Sequence, residues 1–209
     1  MDMIKGKNGT IFFEGKKCIH SRNCVLSRPD VFVPNVDGDW IYPDRATEEE
    51  IKQLAINCPS GAIKFESNSS LSESAPIVNV VRVRENGPLA FNADMDIIGH
   101  GLEFRATLCR CGESKNKPFC DSSHTSIQFV ATGEPTPVLE PKTLTARNGK
   151  LLITPAKNGP LKVQGNLEIC TGTGHMINRI DKTYLCRCGG SSNKPYCDGT
   201  HKKIKFSSE

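Results

Sequence analysis

The chain has 209 residues, a net charge of +4, and only 37% hydrophobic against 24% charged residues. That apolar fraction is low for one large globule and suits small domains that lean on metals or disulfides, a need that ten cysteines match. Basic clusters with interleaved aromatics are absent and Lys202 and Lys203 read as a solvated face, which excludes nucleic-acid binding; no apolar run reaches the length of a membrane span.

The opening MDMIKGKNGTIFF has no leader-like apolar core, so a cytoplasmic protein is expected. In that compartment, thiols gathered near histidines point to metal ligation rather than disulfides. Residues 10–13 and 62–65 read as a strand pair, and the polar stretch 34–39 as a loop. Thr47 to Glu50 has the form of a capping box, and Ile51, Leu54 and Ala55 give the apolar stripe of the helix behind it. That helix leads to Cys58, which precedes Pro59 and joins Cys18 and Cys24 in a triad C-x5-C…C-P.

Residues 67–75, SNSSLSESA, carry too few apolar side chains to pack and read as a linker. Beyond it the chain repeats itself. LCRCGESKNKPFCDSSH (108–124) and LCRCGGSSNKPYCDGTH (185–201) are identical at 12 of 17 positions without a gap, where chance gives roughly one in twenty, so the segment is duplicated. Asn86-Gly87-Pro88-Leu89 recurs as Asn158-Gly159-Pro160-Leu161, Ile127 and Phe129 as Ile204 and Phe206, and the second copy carries five extra residues near 171–175. Strands are expected over 76–83, 151–154, 161–163 and 166–169, with turns at the Asn-Gly pairs. Pro118 and Pro195 suit the first turn of a short helix, and Asp121 and Asp198 its positive end.

Each copy holds C-x-C-x8-C-x3-H: Cys109, Cys111, Cys120 and His124, then Cys186, Cys188, Cys197 and His201. Residues i and i+2 of an extended segment share a face, which sets the two cysteines of C-x-C on one metal atom. Residues i and i+4 meet on one helical face, which sets Cys120 beside His124 on a second. Thiolates with one imidazole suit either zinc or an iron–sulfur cluster. The C-x-C spacing leans toward the cluster, since zinc pairs usually have two to four intervening residues.

CRCGESKNKPFCDSSH and CRCGGSSNKPYCDGTH resemble the CDGSH iron–sulfur domain, the mitoNEET-like family, over roughly residues 76–209. The resemblance implies a [2Fe–2S] cluster on each Cys₃His set, with the C-x-C cysteines on the inner iron and the third cysteine and histidine on the outer, more exposed one. It departs at Ser122, where the family has Gly and the second copy has Gly199. The family's single-motif members dimerise, so the tandem chain is expected to form a monomeric pseudo-dimer about an internal two-fold, capped by strands from both halves. CIHSRNC…CPSGAIKF is similar to the divergent single-cluster [4Fe–4S] ferredoxin family over residues 8–66, with Ser21 where a fourth cysteine would complete C-x2-C-x2-C. That likeness implies a [3Fe–4S] or [4Fe–4S] cluster on Cys18, Cys24 and Cys58, with Ser21, His20 or solvent as the remaining ligand.

The expected architecture is therefore α+β in small domains: a ferredoxin-like domain over 1–66, the linker 67–75, and mostly β CDGSH repeats over 76–137 and 138–209. A histidine ligand must be deprotonated and raises the potential relative to all-thiolate ligation, so acid-labile clusters are expected. Arg110 and Arg187 are read as offsetting thiolate charge, Lys117 and Lys194 as donors toward the clusters, or all four as solvated charges. Cys170 reads as a small core residue, and His100 and His175 as surface histidines. No Ser–His–Asp set, P-loop or dinucleotide fingerprint appears. The sequence thus points to an electron carrier or redox-system subunit rather than an enzyme with its own substrate. Its partners would be redox proteins; cluster storage and transfer to apo-iron–sulfur proteins, or a structural zinc module, are the alternatives.

Overall fold

A computed structural model describes residues 1–69 and 73–209, which divide into two units, Met1–Ser74 and Ala75–Glu209. Part of the Ser-rich stretch, residues 70–72, lies outside the described residues. Residues 67–69 are not linker. Ser67 ends a strand and bonds to Glu48, while Asn68 donates its backbone N–H to the Asn8 carbonyl and its side-chain amide to the Lys7 carbonyl. Among the described residues no helix is long and apolar enough to cross a membrane.

The first unit is a three-stranded antiparallel sheet in the order β1 (Asp2–Lys5), β2 (Gly9–Phe13), β3 (Ile63–Ser67), with the α-helices α1 (Asn23–Ser27) and α2 (Glu48–Ile56). The capping box forms as expected: Thr47 Oγ1 accepts from the Glu50 N–H, and the Glu50 carboxylate accepts from the Thr47 N–H. This satisfies donors that the first turn leaves orphaned. Ile51, Leu54 and Ala55 then pack on Ile11, Phe32, Ile63 and Phe65. Trp40 closes one side, edge-on to Phe13 and Phe32. The expected strand pair is β2 with β3; β1, short and largely exposed, lacks the alternation that would reveal it.

The second unit is one sheet in which the two copies trade strands. Each copy contributes a short strand and a long hairpin: β4 (Val80–Val83), β5 (Leu89–Ile97) and β6 (Gly101–Leu108), then β7 (Leu151–Pro155), β8 (Leu161–Cys170) and β9 (Met176–Leu185). β5 pairs antiparallel with β4 and β6 of its own copy and parallel with β7 of the other. β8 reciprocates with β7, β9 and, in parallel, β4. Both long strands carry a bulge at the same place, between Asn92 and Met95 and between Gln164 and Leu167. The segments 161–163 and 166–169 are therefore one strand bent at Gly165 (φ +117°), not two. Alternate residues of these strands, including Phe91, Met95, Leu151, Ile153, Val163 and Leu167, form a single core fed by both copies.

Only the end of 76–83 is a strand. Asn79, fully buried just ahead of β4, gives its side-chain amide to the Gly149 and Asn166 carbonyls and accepts from the Asp94 N–H. Its backbone bonds Arg147 and Glu168. A buried amide must find its partners, and these come from both copies.

Candidate metal centres

In each copy the long hairpin delivers C-x-C at its end. The backbone N–H groups of Cys111, Gly112 and Ser114 converge on the Cys109 sulfur, as those of Cys188, Gly189 and Ser191 do on Cys186. Ser114 Oγ donates to the Phe119 carbonyl at 2.6 Å and accepts from the Asn116 N–H, and Ser191 does the same with Tyr196 and Asn193. Sequence reasoning missed this pair, although both serines survive in the repeat.

The four donors of each copy stand as two pairs. Cys109 Sγ lies 3.7 Å from Cys111 Sγ, and Cys120 Sγ lies 3.3 Å from His124 Nδ1. In the second copy, Cys186 and Cys188 are 3.8 Å apart and Cys197 and His201 3.3 Å.

Cys120 and His124 do not meet along one helix, as their spacing suggests. The helices α3 (Ser123–Ser126) and α4 (Thr200–Lys203) begin only after the third cysteine, and a left-handed residue, Ser122 (φ 71°) or Gly199 (φ 87°), turns the chain into them. Pro118 and Pro195 accordingly lie in the turn before an isolated bridge to β6 or β9, not in a helix. Asp121 and Asp198 do serve the helix starts, accepting from the N–H of Ser123 and Thr200, and their second oxygens accept from Lys115 and Ser192 N–H.

The arginines are not solvated charges. Arg110 is 1% exposed and donates to the carbonyls of Arg84, Gly87, Ala131 and Thr132. Arg187 is 3% exposed and donates to those of Ala156 and Gly159. Each guanidinium thus ties the Asn-Gly-Pro turn to the C-x-C loop and lies over a phenylalanine ring, Phe129 or Phe206. Burial pushes Arg110 down to about 10, opposed first by the field of Cys186 from the other copy. The field of Cys109 likewise opposes the lowering of Arg187. The offsetting of thiolate charge therefore crosses between copies. Lys194 donates to the Ser191 carbonyl, which fixes the loop, while Lys117 is half-buried.

The thiols themselves fit a cationic centre. Within each C-x-C pair the S–H of one cysteine holds the other down, while hydrogen bonding and then burial push the donor up. Burial pushes Cys120 up to about 12 and lowers His124, which favours its neutral imidazole. Three thiolates stand together in such a place only around positive charge, and a neutral imidazole is the form that ligates.

In the first unit, Cys18, Cys24 and Cys58 line one cavity of about 390 Å³ together with His20, Ser21, Trp40 and Ser60. α2 and its following turn place Cys58, and left-handed His20 and Arg22 curl the 18–24 loop around the space. The His20 N–H faces the Cys18 sulfur and the Val25 N–H faces that of Cys24; burial raises both thiols, and the nearness of Cys58 raises them further. The donor set and cavity fit a cluster held by three cysteines, with Ser21 and His20 on the same wall. Cys170 is buried in the sheet, and His100 and His175 are exposed, as expected.

Comparison with known proteins finds two families along the chain. Residues 78–125 and 158–202 match the family described as "Iron-binding zinc finger CDGSH type", and residues 4–68 match "Divergent 4Fe-4S mono-cluster". Proteins called "Uncharacterized protein YjdI" from Escherichia coli K12 and O157:H7 are each 33% identical over 61 residues, which is 29% of this chain and 78% of theirs. The chain is an iron–sulfur-binding protein that belongs to the CDGSH-type family through its two repeats and to the divergent 4Fe–4S mono-cluster family through its N-terminal unit.

Proposed function

We propose that the protein is an electron carrier with two [2Fe–2S] clusters and one [3Fe–4S] or [4Fe–4S] cluster. The first two would sit on Cys109, Cys111, Cys120 and His124 and on Cys186, Cys188, Cys197 and His201, the third on Cys18, Cys24 and Cys58. The observation that carries this reading is the two-by-two pairing of donors, repeated in both copies. A binuclear centre takes two donors on each iron, whereas a zinc ion draws four donors to one point. When bound, such clusters supply one-electron exchange.

The chain's own residues do the holding. Ser114 and Ser191 fix the C-x-C loops, Arg110 and Arg187 lock them to the Asn-Gly-Pro turns, and Asp121 and Asp198 set the helices that present the histidines. The reciprocal strand exchange supports an intramolecular pseudo-dimer. Half-exposed Cys188, Cys197 and His201 favour a second reading, delivery of a cluster to apo-proteins.

Anaerobic purification with iron, zinc and sulfide analysis and EPR tests the first reading. About four iron per chain is the expected sum of two [2Fe–2S] sites, with roughly three or four more for the triad. Colourless protein with stoichiometric zinc and no sulfide overturns it. Transfer to an apo-ferredoxin faster than spontaneous cluster decay would establish the second reading.

A further inference from the structure

The two copies share a backbone around their histidines but not a charge. The stretch Ser123–Phe129 corresponds to Thr200–Phe206, and the resemblance extends to the left-handed residue after each helix, Gln128 and Lys205, both at φ 52°. Thr125, Ser126 and Gln128 of the first copy are replaced by Lys202, Lys203 and Lys205 in the second. All three lysines are exposed, and none has a carboxylate partner among the described residues. On the neighbouring C-x-C loops, Glu113 and Lys115 of the first copy cancel, and their counterparts Gly190 and Ser192 are neutral. The His124 face is thus neutral and the His201 face carries three unpaired positive charges.

Among these charges lies an apolar residue that both copies share: Ile204, 51% exposed between Lys203 and Lys205, corresponds to Ile127, 46% exposed in neutral surroundings. The sulfurs beneath are less covered than in the first copy: Cys111 and Cys120 are buried, while Cys188 and Cys197 are half-buried. Around the first site, the 171–175 insertion braces the segment that holds Arg110, with the Gly172 N–H donating to the Gly133 carbonyl and Thr173 to Glu134. In the second copy, residues 208 and 209 are held instead by Lys157, which pairs with Glu209, and by Asn158, which exchanges hydrogen bonds with Ser208.

We propose that the His201 face is the docking surface for an acidic partner protein, with Lys202, Lys203 and Lys205 steering its approach around Ile204, and that the His124 face is not. This rests on the electron-carrier reading for its purpose but not for its test. Three lysines around an apolar centre, without arginine forks or stacking aromatics, suit an acidic protein surface better than a nucleic acid. Charges so placed act mainly on the rate of encounter and on its salt dependence.

The test uses an acidic plant-type ferredoxin as probe, with basic cytochrome c and a duplex DNA oligonucleotide as contrasts. Binding is followed by calorimetry and electron exchange by stopped flow, at low and high salt. Wild-type protein is expected to bind the ferredoxin in a salt-sensitive way. The variant K202E/K203E/K205E should lose at least about tenfold in association rate, with unchanged iron, sulfide and visible spectrum, while T125E/S126E/Q128E changes it less than about twofold. Ferredoxin binding without electron exchange would leave the surface standing and remove the carrier reading. Absence of ferredoxin binding, equal losses in both variants, or lysine-dependent binding of the DNA alone overturns the proposal.

Discussion

Gly189 lies so close to Cys111 that a β-carbon built on it would stand 2.4 Å from the Cys111 carbonyl oxygen, and Gly112 meets Cys188 in the same way at 2.8 Å. Both glycines have positive φ, so two constraints coincide: a left-handed backbone, and contact of one ligand loop with the other copy's cysteine. Gly199 has the first constraint without the second, since nothing lies within 4 Å of its missing β-carbon. Gly199→Ala should therefore cost about 1 kcal/mol, the ordinary penalty of left-handed backbone. Gly189→Ala should cost about 3 kcal/mol or more, because backbone must also move. Urea midpoints of the two variants check this; equal losses would show that the loops do not depend on each other.

Ser122 offers the opposite experiment. It holds φ 71° where the second copy has glycine, and its Oγ is buried without a hydrogen-bond partner among the described residues. Relief of the left-handed strain and of the stranded hydroxyl outweighs the extra freedom glycine gives the unfolded chain. Ser122→Gly is expected to stabilise the protein by about 1 kcal/mol, read as a higher Tm.

Glu168 gives a pH dependence away from the metal centres. Its side chain is 5% exposed and accepts from Arg147 at 2.8 Å and from Arg179 at 3.0 Å, and the bonds from Arg147 hold its carboxyl below the usual value of 4.5. A depressed carboxyl contributes in full above its unfolded pKa and loses that contribution as pH falls through the folded one. Glu168→Gln should cost about 2 kcal/mol at neutral pH, as expected for charge-assisted bonds. The Tm difference from wild type should shrink as pH falls below about 4.5; a constant difference would rule out this linkage.

In the first unit, Ser21 shares the cavity wall with Cys18, Cys24 and Cys58. Ser21→Cys restores the C-x2-C-x2-C spacing and offers a fourth thiolate. The variant should hold a [4Fe–4S] cluster that decays more slowly in air than that of the wild type. EPR of the reduced protein and timed bleaching follow it; unchanged decay would place Ser21 away from the open iron.

What could be read from the sequence was whatever local chemistry controls. The Thr47 capping box, the β2–β3 pair and the side-by-side cysteines of each C-x-C follow from spacing and turn residues. The strand exchange does not, because an apolar strand reads the same whichever partner it finds, and β4 and β7 each find one in the other copy. Arg110 was hidden for a related reason. An arginine between two cysteines defaults to solvent until the backbone supplies four carbonyls around it. Pro118 misled because proline fixes φ without saying whether a helix follows, and the helix waits for the turn at Ser122.

The strand exchange has an evolutionary side. In an assembly of identical chains every substitution appears at both sites at once, so a change that suits one site is imposed on the other. With both halves on one chain, Ser122 can differ from Gly199, Glu113 from Gly190, and Gln128 from Lys205, while β4 and β7 keep the halves interlocked. The covalent join leaves each half free to specialise without parting from its twin.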